Sequence, residues 1–504
     1  KRGIQAVGGE KAMSAAGSLL LEAEGTVNPA AQDQGQLPAS SQRAPIKEIL
    51  VIDRSNGRVG FETDHKRLDE TKEWLRFVHG PGDSFQFAQL GDGFGVITKN
   101  PTSRDTQARL ERMVPHLLLE SAVKNAASLR YLGKARQGNQ TVEMVSFAVE
   151  TGETLTLRFG GKSGLLLGFE YLVDMPLHGD TSIRWQYADY REVPSLGMHP
   201  SGYTIWIGEQ PWKEMRFKEI RTSNVDLSPV FTIPEGFRVA RSPPPPPNQV
   251  NAPPQPTVTE VAPGVHFVQG IRGGFHVMFV EFKDFVVALE APTGWLELHL
   301  APASDFTPGA TSSSVSEEFI QIIRQKVPSK PIRFVVLSHF HSDHAGGVRA
   351  FVAEGATVLT TQVATGAIQR ALERPHTLNA DPLTKRPRES EIRAVSKRQV
   401  ISDGTQEIEL IEMESDNPHA AGMLIMNFPR HNFLYVSDLF PPWRRQPSPS
   451  HLSTMRYFVA WLDQHGLKPE KIYASHGAGI GSHEQLEQIR AVKPEPGEGK
   501  GKHF

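Results

Sequence analysis

The chain has 504 residues, too many for one hydrophobic core, so two or three domains are expected, each with its own interior. Lys and Arg total 54 against 56 Asp and Glu, a formal charge of -2, which gives no reason to expect nucleic acid or an anionic membrane surface as partner. No apolar run approaches the roughly eighteen residues that cross a bilayer, and with no cysteine there are neither disulfides nor thiolate metal sites.

The chain begins at Lys1 with neither a methionine nor an apolar signal-peptide core, as a processed precursor or a trimmed chain would. Lack of cysteine is compatible with the cytoplasm or a bacterial periplasm, and a periplasmic or secreted place is slightly favoured.

Residues 1–241 read as a β-rich unit. A small-residue segment at 12–21 precedes runs of strand composition at 49–52, 74–78, 85–97, 141–149, 154–159, 165–173, 183–190, 203–207 and 215–220. Apolar and polar residues alternate in Ile183-Arg184-Trp185-Gln186-Tyr187 and Met215-Arg216-Phe217-Lys218, which predicts a largely antiparallel sheet with one wet face. Between the strands, 104–127 reads as helical, with Leu110, Met113, Leu117 and Leu118 as its apolar stripe and Pro115 expected to kink or divide it. Many strands with a helical insert resemble the half-barrel of periplasmic lipoprotein-carrier and lipoprotein-sorting domains. That resemblance implies a concave face able to take a lipid-like ligand; the other expectation is a filled core that serves packing alone.

Residues 242–256 carry five consecutive prolines, Pro243 to Pro247, and three more at Pro253, Pro254 and Pro256. Such density favours extended polyproline structure, so the segment is expected to be a semi-rigid linker to a second unit, 257–504.

That unit opens with two hairpins: 258–268 around Pro263-Gly264, and 275–289 joined at Lys283-Asp284. A helix at 316–326 leads into a strand at 333–337, and there the chain reads Ser338-His339-Phe340-His341-Ser342-Asp343-His344-Ala345-Gly346-Gly347. Three histidines and an aspartate within six positions arise by chance in roughly one such chain in a thousand. Neutral imidazoles with a carboxylate suit zinc or iron better than calcium or magnesium. His339 and His341, two apart on extended chain, can share a face, while Asp343 and His344 turn towards a second position as a helix begins near 345, so one segment can feed two metal ions.

Strand and helix then alternate: a strand at 357–360, a helix at 362–372, a polar loop at 373–396, strands at 408–411, 423–426 and 432–436, a helix at 454–465 and a strand at 471–474. His419 precedes the strand at 423–426, Asp438 follows the strand at 432–436, and His476 follows the last strand. Ligand types at the ends of successive buried strands are what a rigid metal site on a sheet edge requires.

The order His339-x-His341-x-Asp343-His344, His419, Asp438 after Leu-Tyr-Val-Ser, and His476 before a glycine resembles the metallo-β-lactamase fold hydrolases over nearly all of 257–504. The resemblance implies an α+β chain whose C-terminal half is a four-layer αββα sandwich, with the metal site at one edge of the paired sheets. It implies that His339, His341 and His419 hold one zinc ion, that Asp343, His344 and His476 hold a second, and that Asp438 bridges the two. The family's aspartate at the end of an early strand, which supports the metal loop, is matched by Glu290.

Two zinc ions about 3.5 to 4 Å apart share a water and lower its pKa to near 7, for attack on a carbonyl or phosphoryl centre. Asp343 and Asp438 are then the catalytic candidates for proton acceptance. Lactamases of the family generally replace the bridging aspartate, whereas its glyoxalase II, lactonase and phosphodiesterase relatives keep it. Ester, lactone or thioester hydrolysis is therefore expected before β-lactam hydrolysis, with single-iron persulfide dioxygenation as a further class. The substrate is expected to be a small molecule, with His276, Trp443 and Arg444 as candidate contacts: an exposed Trp-Arg-Arg cluster could clamp an anionic or aromatic group.

Overall fold

The computed structural model describes residues 1–28, 43–66, 72–80, 83–90, 96–99, 108–150, 152–222, 228–232, 238–239, 255–271, 275–293, 311–414, 416–444, 447 and 451–492. The expected linker lies outside them except for its last two residues.

Among the described residues of the N-terminal half, fourteen strands form one sheet. The first strand, Ser18–Val27, pairs antiparallel with both Ala44–Asp53 and Gln210–Arg221, so early and late segments meet at the middle of the sheet. Burial alternates strictly along most of Gly179–Tyr187, as its alternating sequence predicts. The run at 85–97 is two strands, Asp83–Leu90 and Val96–Lys99. Pro115 divides the helical region: a short turn ends before it and the helix Pro115–Lys124 starts on it, where its missing N–H costs nothing.

Leu117, Leu118 and Leu119 of that helix are buried in the same core as Leu21, Phe61, Phe169, Trp185 and Tyr203. A cavity bounded by Leu21, Glu48, Leu50, Phe61, Met113, Tyr203 and Phe217 has room for about one water. That is far below the size of an acyl chain, so it lends a lipid-like ligand no support. Beside it, the buried Glu48 carboxylate accepts hydrogen bonds from Tyr203 and Lys213.

The C-terminal half is a sandwich of two sheets. The first has seven strands in the order Thr257–Ala262, Val265–Ile271, Phe275–Glu281, Val286–Leu289, Ile332–Val336, Thr357–Thr361 and Ile392–Val395. The second has six: Arg398–Ser402, Glu407–Glu412, Leu424–Phe428, Phe433–Tyr435, Lys471–Tyr473 and Ile480–Ser482. Alternate residues of one strand serve different cores. Val277 and Phe279 face the helices Ser314–Lys326 and Val348–Ala353, while Met278 and Val280 meet Leu424, Met426 and Tyr435 of the other sheet. Burial on both faces explains why these strands read as unbroken apolar runs. Outside the second sheet, Ile425, Leu434 and Ile472 pack on Phe458 and Trp461 of the helix Leu452–Gln464 and on Leu486 and Ile489 of His483–Ala491. The four layers are helix, sheet, sheet, helix.

The segment 373–396, expected to be a polar loop, holds a helical turn, Pro382–Lys385, and the edge strand Ile392–Val395. Only one residue of that strand is buried, so no apolar period announces it. Directly after it, Ser396 and Lys397 carry the chain to the first strand of the second sheet.

Candidate metal centre

The strand Ile332–Val336 delivers His339 and His341 on extended chain, and the short helix Ser342–Ala345 turns Asp343 and His344 the other way. Three further loops converge there. His419 precedes Leu424–Phe428, Asp438 follows Phe433–Tyr435, and His476 follows Lys471–Tyr473. Backbone hydrogen bonds tie these loops together: Leu424 N donates to Ser338 O at 2.8 Å, Ser475 N to Ser437 O at 3.2 Å, and Ala291 N to His344 O at 2.8 Å.

The donor atoms fall into two groups, each with its members within 4.8 Å of one another: His339, His341 and His419; and Asp343, His344, Asp438 and His476. His339 Nε2 lies 3.2 Å from His419 Nε2, and His344 Nε2 lies 3.2 Å from His476 Nε2. Asp438 stands between the groups. Its Oδ1 is 2.9 Å from His344 Nε2 and 3.2 Å from His476 Nε2, while its Oδ2 is 3.2 Å from His419 Nε2. One carboxylate thus faces both groups, one oxygen to each.

The sequence comparison agrees with this arrangement: the family model described as "Metallo-beta-lactamase superfamily" matches residues 309–476. This segment is a metallo-β-lactamase superfamily domain. Solved structures similar to the chain include a metallo-beta-lactamase from Pontibacter korlensis, at 16% identity over 47% of this chain and 100% of that one, with TM-score 0.33. Another is the metallo-beta-lactamase FIM-1 from Pseudomonas aeruginosa in its mono-zinc form, at 16% identity over 47% and 93%, with TM-score 0.33. A double mutant of the sec-alkyl sulfatase PisA1 matches at 15% identity over 47% and 41%, with TM-score 0.31. No curated protein sequence matches the chain significantly.

The metallo-β-lactamase domain fits metal on its own chemistry. Asp343 is 2 % exposed and its Oδ1 has no hydrogen-bond partner, an expensive arrangement for a carboxylate unless a cation completes it. Burial, together with His341, His344 and His419 beside it, holds the His339 imidazole well below its ordinary range, in the neutral form that ligates. Burial raises Asp343 and Asp438, but the facing imidazoles outweigh it and hold both carboxyls well below the usual range. Burial lowers His476, yet Asp438 and Asp343 push it up to about 9.

The other ring nitrogens are also engaged. His339 Nδ1 lies 2.8 Å from Ser338 Oγ, which donates to Ser437 Oγ at 3.0 Å. His344 Nδ1 lies 3.1 Å from Ser437 Oγ and 3.5 Å from Glu290 Oε1. Oxygen partners at Nδ1 leave Nε2 of each ring for a metal. Glu290 is fully buried, accepts Ser338 N–H at 3.2 Å and sits at φ +71°; Ser437 sits at φ +52°. Both non-glycine residues hold left-handed backbone beside the ligands, where strain is tolerated for a functional geometry. Glu290, the sequence counterpart of the family's supporting aspartate, thus lies between Ser338 and the His344 ring.

The segments of the candidate substrate residues adjoin the loop that carries His476. His276 is buried, with both ring nitrogens on backbone: Gly270 N–H donates to Nδ1 at 3.0 Å and Nε2 meets Gly477 O at 3.2 Å. Its own N–H donates to Ser475 O at 2.9 Å, so His276 grips the loop that carries His476. Trp443 is half-buried against Phe440, and Arg444 is exposed. Their segment touches the same loop, since Ala478 N donates to Pro442 O at 2.7 Å. Arg445 lies outside the described residues. Sequence reasoning missed Ser338, Ser437 and Phe275, whose ring meets His344 and His476 edge-on at 5.5 and 4.6 Å.

Proposed function

We propose that the chain is a dinuclear zinc-dependent hydrolase of a small ester, lactone or thioester. The observation that carries this reading is Asp438, with one oxygen towards each donor group. His339, His341 and His419 would hold one ion, Asp343, His344 and His476 the other, and Asp438 both. When bound, the two ions supply Lewis acidity and lower the pKa of a water between them.

The chain's own groups do the rest. Asp438 and Asp343, held as carboxylates, accept hydrogen bonds from the attacking water and fix its direction. Ser437 and Glu290 hold the His344 ring so that its orientation survives each turnover. Phe275 walls the second group with an apolar face that limits bulk water and strengthens the local electrostatics. Trp443 and Arg444 bind the part of the substrate beyond the reacting carbonyl, the indole through its face and the guanidinium through a negative group.

A screen of zinc-loaded protein against esters, lactones, thioesters, β-lactams and phosphodiesters tests the assignment. Turnover of an ester, lactone or thioester at least tenfold above the other classes is expected; turnover of β-lactams alone would refute the substrate class.

A further inference from the structure

The strands Leu166–Met175 and Gly179–Tyr187 of the N-terminal sheet are joined by a turn that reaches into the C-terminal sandwich. Leu177, 4 % exposed at its tip, belongs to the buried cluster that also holds Val315, Phe319 and Val348, in the layer between the first sheet and its helices. Flanking it, the buried Asp174 carboxylate lies 2.5 Å from His376 Nδ1 and accepts Ser312 N–H at 3.3 Å. Asp180 accepts the backbone N–H groups of Thr377 at 2.7 Å and Leu378 at 3.1 Å. The segment after Glu373, polar and aperiodic in sequence, is therefore the socket for this turn.

The turn also reaches the metal loop. A Cβ placed on Gly346, two residues after His344, would lie 2.6 Å from Pro176 Cβ and 2.7 Å from Thr293 Cγ2. Thr293 Oγ1 in turn donates to Ser312 O, and Ser312 N is held by Asp174. Pro176 directly, and Asp174 through Ser312 and Thr293, thus bear on one glycine. Behind Gly346, Gly347 N donates to Ala291 O at 2.9 Å and Ala291 N to His344 O at 2.8 Å, so the loop cannot retreat.

We propose that this turn is a strut for the metal loop: Asp174 and Pro176 of the N-terminal sheet are positioning residues that set the place of Asp343 and His344. The N-terminal half then serves the metal centre through a packed contact. Close packing transmits such a constraint because compressing Gly346 further is not possible.

Amide hydrogen exchange on the full chain without metal tests the strut alone. In Asp174→Ala and Pro176→Gly, exchange in peptides covering 342–353 should rise about tenfold, with 454–464 unchanged, because only the local opening is affected. Asp174→Asn, which keeps one acceptor, should recover part of the protection, and Leu172→Ala on the exposed face of the same hairpin should change nothing. Wild-type exchange at 342–353 in both Asp174→Ala and Pro176→Gly would overturn the proposal, and Pro176→Gly decides alone should Asp174→Ala fail to fold.

A zinc titration against a chromophoric chelator is the second arm, and it alone rests on the dinuclear reading. The weaker of two bound ions should lose about tenfold in affinity in both variants while the tighter keeps its own. Two ions held at wild-type affinity in both variants would count against the strut. Failure of the wild-type chain to bind zinc would count against the dinuclear reading, with the exchange result still deciding the strut.

Discussion

Glu290→Gln exchanges one oxygen for an amide nitrogen in a fully buried side chain and tests how the His344 ring is held. In the native chain Oε2 accepts Ser338 N–H at 3.2 Å, while Oε1 makes no hydrogen bond and faces His344 Nδ1 at 3.5 Å as a charge contact. For His344 Nε2 to ligate, Nδ1 must carry the proton. A glutamine turns one acceptor into a donor, so whichever way its amide lies, two donors meet, at Ser338 N–H or at the imidazole. Ser437 Oγ, 3.1 Å from Nδ1, still supports the preferred tautomer, which limits the damage. Loss of such a supporting contact typically weakens metal affinity 10- to 100-fold, about 1.4 to 2.7 kcal/mol, and the lower end is expected here. The assay is zinc titration against a chelating dye, with thermal unfolding alongside. One ion should weaken by about tenfold while the other is unaffected. Wild-type affinities for both ions in a folded variant would refute the role given to Glu290.

Asp438→Ala should lower hydrolysis by at least about 100-fold and reduce bound zinc to one ion per chain, with circular dichroism unchanged; unaltered turnover would remove Asp438 from the mechanism. In the strut turn, His178 is held down at about 4 by burial and by Arg374 and Arg370. The unfolded chain binds this proton near pH 6.5 and the folded chain only near 4, so stability is full above 6.5 and falls as pH drops towards 4, by up to about 3 kcal/mol. Denaturant titrations from pH 7 to 4 should show that loss, and His178→Gln should flatten it. Lys213→Met leaves the Glu48 carboxylate buried with Tyr203 as its remaining partner, which should cost about 3 to 5 kcal/mol, most of it restored when Glu48→Gln is added. Equal stabilities of the single and double variants would contradict the account of that pair.

The candidate donors stood out because most lie where apolar strand runs stop: His339 to His344 after Val335-Val336-Leu337, Asp438 after Phe433 to Val436, and His476 after Ile472-Tyr473-Ala474, with His419 before the Met423 run. A strand buried on both faces, such as Phe275–Glu281, announces itself by composition alone. What packs around these candidate donors was not legible. Ser338 and Ser437 meet across 99 residues of sequence, and a serine carries no signal of which imidazole it will face. His276 was a substrate candidate weighed against a structural role, and in the fold its ring nitrogens meet the backbone of Gly270, in the strand Val265–Ile271, and of Gly477, partners the sequence does not announce. The helix His483–Ala491 was missed although Ser482 and Gln485 form a capping box, because only Leu486 and Ile489 of its residues are buried and the apolar period is too weak to read. Asp174 and Pro176 gave no sign either, since the contact they make lies some 170 residues further along the chain, at Gly346.

The central claim, two metal ions bridged by Asp438, is tested most directly by elemental analysis of the purified full chain after growth with supplemented zinc. Two zinc ions per wild-type chain and one per Asp438→Ala chain are the predicted result. Well under one zinc or iron per wild-type chain would contradict it.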